Sequence, residues 1–229
     1  AYCDQIIRIK RRIRAVASRF NIQACFMAKP MENQAGNGMH VHCSLLNKAG
    51  KNIFDSKTLE GVPLLERAVA GCLAFMGETF LIFAPSINAY RRFQAGNHAP
   101  THPTWGYDNR TTALRIPAGP SSATRIEHRL PGADCNPYLV VAAILSGMLM
   151  GIDKELLAPA PTEGNAWLKP QNNLTLPQDM RNAFECFSKG RHVKKYLSSA
   201  FQTAFSEIKR QELAEFDRRV TDFELKTYW

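Results

Sequence analysis

The sequence predicts an α+β fold, and three observations carry that expectation. Ile6, Ile9, Ile13, Val16 and Phe20 recur at three- and four-residue steps, the period of an amphipathic helix. Residues 39–46, MHVHCSLL, alternate apolar and polar side chains with the period of a half-buried strand. Residues 136–153, NPYLVVAAILSGMLMGID, are apolar on every face, as a deeply buried helix requires.

Taken in chain order, a helix is expected over 4–20, with Asp4 as its N-cap and its apolar stripe turned to the core. Residues 23–28, QACFMA, read as a short strand. Residues 31–38 are rich in turn formers and read as a loop. The alternating strand over 39–46 puts His40 and His42 on one face, and a hairpin-like turn follows over 47–52. Residues 63–79 form a buried helix, with Pro63 tolerated in its first turn. Residues 84–109 show little period but hold Gly, Pro, Asn, His and Arg, the character of a long functional loop. RTTALRIP and ATRIEHRL are strands, and the apolar helix over 136–153 follows them. A loop over 163–177 leads to helices over 178–188 and 192–218. The second of these packs Tyr196, Phe201, Phe205, Ile208 and Leu213.

Length and composition narrow the class. A chain of 229 residues can bury a full hydrophobic core. Hydrophobic residues are 45% and charged residues 21%, ordinary for a globular protein. No apolar run reaches the roughly 18–20 residues that span a bilayer, so no membrane partner is expected and a cytoplasmic location is. The net charge of +9 is concentrated between Arg8 and Arg19, without aromatic residues interleaved as a base-stacking surface needs. That stretch therefore reads as the solvated face of a helix, and no nucleic-acid partner is expected. The six cysteines form no C-x-x-C pair and read as reduced, mostly buried thiols.

The chemistry gathers around RIEHR, residues 125–129. On a strand, Arg125, Glu127 and Arg129 point one way and Ile126 and His128 the other. Arg91, Arg92, Arg110 and Arg115 lie just upstream. Arginine is the preferred planar fork for carboxylate and phosphate, and inward-facing arginines are costly unless an anion meets them. A carboxylate at Glu127 is a hard oxygen donor, and magnesium takes one or two carboxylates together with substrate phosphates. Together with His40 and His42, which share a strand face, these residues describe a site for a phosphorylated substrate, a divalent ion and a small carboxylic acid. The reaction class that follows is phosphoryl transfer.

At these residues the chain resembles the C-terminal catalytic portion of the glutamine synthetase family. The segments that carry the likeness are FMAKPMENQAGNGMHVHCSL, NAYRRFQAGNHAPT, DNRTTALRIP, RIEHRLPGADCNPYLVVAAIL and FELKTYW. The resemblance implies an antiparallel β-sheet forming part of an open barrel flanked by helices. It makes residues 1–229 a partial catalytic domain, without the family's N-terminal β-grasp domain and the strands that supply most glutamates of its metal sites. It implies ligation of glutamate to ammonia through γ-glutamyl phosphate, with ATP as co-substrate and Mg2+ or Mn2+ as the metal, in a homo-oligomeric ring. His40 and Glu127 become metal ligands. His42, Arg110 and Arg115 become ATP contacts, with Arg110 also meeting the transferring phosphoryl group. Gly36, Arg92 and Arg129 become glutamate contacts.

Several positions depart from the family pattern. His98 in GNHAP stands where ammonia-using members carry a flap glutamate, and is then the candidate base. Ala35 replaces an asparagine of the glutamate-binding loop. GPSSAT lacks a lysine usual between the two arginine-rich strands. Thr175 stands where adenylylated members carry a tyrosine. These changes favour a bulkier acceptor and keep γ-glutamylation of putrescine or another amine beside glutamine formation. A catalytically dead family member is a further alternative, and the fragment alone is expected to bind metal weakly and be inactive.

Overall fold

The computed structural model describes residues 2–94, 98–168 and 175–229. Seven helices and four short strands are described: α1 (Tyr2–Arg19), β1 (Val41–Cys43), α2 (Gly61–Phe83), β2 (Trp105–Tyr107), β3 (Leu114–Ile116), β4 (Ile126–His128), α3 (Pro137–Asp153), α4 (Met180–Lys189), α5 (Arg191–Tyr196), α6 (Ser199–Asp217) and α7 (Asp222–Tyr228). The sheet is open, with strand order β1-β4-β3-β2. β4 pairs antiparallel with β1, setting His42 opposite Glu127, and antiparallel with β3, setting Arg115 opposite Glu127. The α+β class and the unclosed sheet flanked by helices match expectation. One pairing departs from an all-antiparallel sheet, because β2 and β3 run parallel. Parallel neighbours usually need a crossover of a dozen or more residues. Here each strand has three residues, so residues 108–113 suffice. Asp108, with φ at 44°, starts the return, and the Asn109 side chain accepts from Thr111 N at 3.0 Å.

The core lies between the sheet and the pair α2 and α3. Phe75, Met76, Phe80, Leu81 and Phe83 of α2 are buried with Val140, Ile144 and Met148 of α3. α3 begins where sequence places it: Asn136 accepts from Tyr138 N at 3.0 Å, and Pro137 opens the first turn. No helix among the described residues is long and apolar enough to cross a membrane.

Some expectations fail for local reasons. Residues 23–28 form no strand, since no neighbouring strand pairs with them; the Ala28 carbonyl instead accepts from Asn37 N at 2.8 Å. Asp4 sits inside the first turn of α1 rather than capping it. The apolar stripe of α1 is not core-facing, with Ile9, Ile13, Val16 and Phe20 exposed. The supposedly unstructured 84–109 holds a 3-10 helix, Ile87–Phe93, and β2. Ser86 nucleates that helix by accepting from Ala89 N, and Tyr90 and Phe93 pack edge-on to Phe80. The single helix expected over 192–218 breaks at Ser198, whose φ is 81° and whose hydroxyl caps α6 at Phe201 N. The break lets Phe201 and Phe205 reach Phe187, while Ile208 stays exposed. All six cysteines are free thiols, but only Cys72 and Cys135 are buried, and Cys25 and Cys186 are exposed. Part of the loop expected over 163–177 lies outside the described residues, as do Gly96 and Asn97 of the flap.

Candidate active site

Strand pairing brings the charged residues together. Glu127 sits mid-strand in β4 with its side chain 4% exposed. Its Oε2 accepts from Arg115 Nη1 at 2.8 Å, and its Oε1 accepts from Arg129 Nη1 at 3.0 Å. His40 Nδ1 also lies 3.0 Å from Oε1, and His42 Nε2 lies 3.9 Å from it. Burial alone raises the pKa of Glu127. The hydrogen bonds from His40 and Arg115 and the charge of Arg129 outweigh it and bring the value down to about 2. Glu127 is therefore a fixed negative charge inside a ring of donors.

The second layer holds the first in place. Arg115 also bonds Asp108 Oδ1, through Nη2 at 2.5 Å and Nε at 3.1 Å. Arg125 Nε donates to His42 Nδ1 at 3.2 Å, which leaves the other ring nitrogen of His42 toward Glu127. Burial lowers the pKa of His42, with the pull of Glu127 opposing it. On the far face of β4, His128 is buried against Phe83, ring centroids 4.5 Å apart, and burial takes its pKa down to about 3.

Gly36, His40, Arg92, His98 and Arg129 line one cleft of about 210 Å³ beside Glu127. Arg92 is buried, donating through Nη1 to Leu130 O at 2.6 Å and through Nη2 to Arg129 O at 3.2 Å. Burial lowers its pKa to about 10, which leaves it cationic near neutrality. The loop over Arg92 needs glycine. A Cβ at Gly36 would stand 2.7 Å from Ala28 O and 3.0 Å from Arg92 Cγ, and one at Gly38 2.8 Å from Arg92 Nη2. Arg129 Nε is buried with no hydrogen-bond partner among the described residues.

Arg110 stands apart. It lies exposed on the 108–113 return and lines a different cleft of about 620 Å³, close enough for its charge to lower the pKa of Arg129 further after burial. Sequence reading missed two residues. Asp108, in GYDN just past β2, anchors Arg115, and with β2 hidden in an apparent loop no signal pointed to it. Trp167 packs on His98, ring centroids 6.1 Å apart, and nothing in the sequence links them.

As metal donors, a hard carboxylate and an imidazole at 3.0 Å are suitable chemistry. Among the described residues no group of three or more His, Cys, Asp or Glu side chains is placed to hold an ion. The pair fits as part of a ligand set that phosphate oxygens or other residues complete, not as a self-contained centre.

The open sheet flanked by helices, carrying an arginine-ringed carboxylate beside a glycine-lined cleft, is an α+β domain of the kind seen in glutamine synthetase relatives. The family model for "Glutamine synthetase, catalytic domain" matches residues 1–228, and the chain belongs to that family. It is 41% identical over 224 residues to "Gamma-glutamylputrescine synthetase PuuA" of Escherichia coli (strain K12), covering 98% of this chain and 47% of that protein. It is 38% identical over 231 residues to "Type-1 glutamine synthetase 2" of Dictyostelium discoideum, covering 98% and 44%. The solved structure "Apo GmaS without ligand" superposes with a TM-score of 0.88 at 29% identity, covering 99% of this chain and 52% of that one. The chain thus spans about half the length of the curated relatives it matches.

Proposed function

We propose that this chain carries nucleotide- and glutamate-binding residues of an ATP-dependent ligase that joins the side-chain carboxylate of glutamate to ammonia or a primary amine. One observation carries the reading: Glu127, ionised and held by Arg115, Arg129 and His40, borders the cleft lined by Gly36, Arg92 and Arg129. In the first step a glutamate carboxylate oxygen attacks the γ-phosphorus of ATP; the O–P bond forms, the bond to the bridging oxygen breaks, and ADP leaves. In the second, the amine nitrogen attacks the acyl carbon; the C–N bond forms, the C–O bond to phosphate breaks, and inorganic phosphate leaves. The amine's surplus protons pass to a base, and His98, which lines the cleft, is the candidate.

Arg92 and Arg129 orient the carboxylates of glutamate, and Gly36 lets the substrate lie close to the loop backbone. His42 and Arg115 face the nucleotide, and Arg110 is the residue for the transferring phosphoryl group, from the neighbouring cleft. A divalent cation, Mg2+ or Mn2+, would be held partly by His40 and Glu127 and would neutralise phosphate charge there. The guanidiniums are preorganised where negative charge develops, so they stabilise the transition state without reorganising. A homo-oligomeric ring in which a neighbouring subunit closes the site belongs to the same reading.

The test is ATP- and glutamate-dependent phosphate release by the complete gene product with ammonium, methylamine, ethanolamine and putrescine. Release with at least one acceptor, lost in Arg129→Ala, is expected. No release with any acceptor would replace the ligase with a catalytically dead family member.

A further inference from the structure

The segment from Lys29 to Gly38, which covers Arg92, is built of turns, so its placement depends on what ties its ends. The two ends meet where Ala28 O accepts from Asn37 N at 2.8 Å. The outgoing end is stitched to the chain after β4: Met39 N donates to Pro131 O at 2.8 Å, and Asn37 O accepts from Ala133 N at 3.0 Å. At the incoming end one side chain takes both backbone groups of Lys29. Asn88 Nδ2 donates to Lys29 O at 2.8 Å, and Asn88 Oδ1 accepts from Lys29 N at 2.9 Å.

Asn88 belongs to the same 3-10 helix as Arg92, so its amide ties the loop to the element that carries that guanidinium. The far end of Arg92 is fixed separately, by Leu130 O and Arg129 O. Loop and guanidinium meet with no side chain between them, because Gly36 and Gly38 face Arg92 without a Cβ. Slack at Lys29 is therefore passed to that contact. Lys29 stiffens the loop further: it is buried, and its Nζ donates to Gln34 O, close in sequence to Gly36. A carboxamide can donate to the C=O and accept from the N–H of one residue at once, whereas a carboxylate only accepts.

We propose that Asn88 is a positioning residue for glutamate. It acts through the Lys29–Gly38 loop, setting the distance between that loop's backbone and Arg92 and so the width of the subsite for the glutamate carboxylates. This deepens the ligase reading above and rests on it. A misplacement of about 1 Å in an active site costs on the order of 100-fold. Loosening one end of a loop that stays tied at the other is a smaller displacement, so an effect of roughly tenfold is expected.

The experiment measures kcat and the KM values for glutamate and ATP in the complete gene product, with whichever acceptor supports turnover, for Asn88→Ala and Asn88→Asp. The first removes both bonds without adding charge. The second keeps the shape and the acceptor but turns a carboxylate toward Lys29 O. Both should raise KM for glutamate about tenfold and leave KM for ATP at the wild-type value. Hydrogen exchange read by mass spectrometry should be faster across residues 29–38 and unchanged in α2 and α3. A wild-type KM for glutamate in either variant, or unchanged exchange across the loop, overturns the proposal. So does a parallel rise in both KM values, or loss of the folded state, since each marks a general structural role. If the wild type releases no phosphate with any acceptor, the ligase reading falls, and calorimetric titration with glutamate decides the role of Asn88. It stands if the wild type binds glutamate and Asn88→Ala binds it about tenfold more weakly, and falls on any other result.

Discussion

Glu127 illustrates how little freedom a single residue has in this site. Its two oxygens serve Arg115, Arg129 and His40, and its side chain is 4% exposed. Removing the charge while keeping the shape leaves two largely buried guanidiniums facing an amide. Breaking a buried ion pair from one side costs about 3–5 kcal/mol. Asp108 still neutralises Arg115 in part, so Glu127→Gln is expected to destabilise the chain by about 3 kcal/mol. Urea denaturation followed by circular dichroism checks this, and a midpoint equal to wild type would show that the network carries no net stability. Alternation put Glu127 with Arg129 on one strand face and His40 with His42 on another, but it could not pair the two stretches, which the register of β1 against β4 does. Arg110 was not placed by the same logic. It sits on a return loop, and no period describes a loop.

At the scale of elements, the α2–α3 contact sets the platform under the sheet. Gly71 of α2 meets Gly147 and Gly151 of α3 so closely that a Cβ at Gly71 would collide with the Gly147 carbonyl oxygen and the Gly151 backbone nitrogen. Neither is the end of a flexible side chain, so one helix must move. Overpacking of this kind costs about 1–3 kcal/mol and occasionally more. Gly71→Ala is expected to lower stability by at least about 2 kcal/mol, whereas Gly77→Ala, which meets nothing within 4 Å, should leave it unchanged or raise it. Thermal melts of the two variants decide the matter, and equal midpoints would refute the close approach. The two helices were readable from composition, with Pro63 in the first turn of α2. Their crossing at glycine was not, because a glycine inside an apolar run carries no sign of its partner. The break at Ser198 was hidden similarly, since α5 and α6 keep a helical period on both sides and only the need to bring Phe201 and Phe205 to Phe187 separates them. β2 was lost in an apparent loop because three residues are too few to show alternation.

For the whole molecule, the distribution of donors and of apolar surface points the same way. α1 reads as a core helix, yet Ile9, Ile13, Val16 and Phe20 are exposed, and α7 exposes Phe223 and Tyr228. β1 and β2 are open sheet edges, the kind of surface that templates association. The amphipathic pattern was correct about helix and silent about what covers it, because period reports a face and not its neighbour. The site is incomplete in the same sense. His40 and Glu127 offer two ligand groups, and magnesium requires near-octahedral coordination. Alignment with the relatives covers 47% and 44% of their lengths, so residues beyond this stretch are available in those proteins to complete a site. The isolated 229 residues are accordingly expected to release no phosphate above background from ATP with glutamate and any amine, even at millimolar Mg2+. They are also expected to elute above monomer size at micromolar concentration. Measured turnover by the isolated chain would mean that the arginine ring and two ligand groups suffice for phosphoryl transfer, and the requirement for further metal ligands would have to be abandoned.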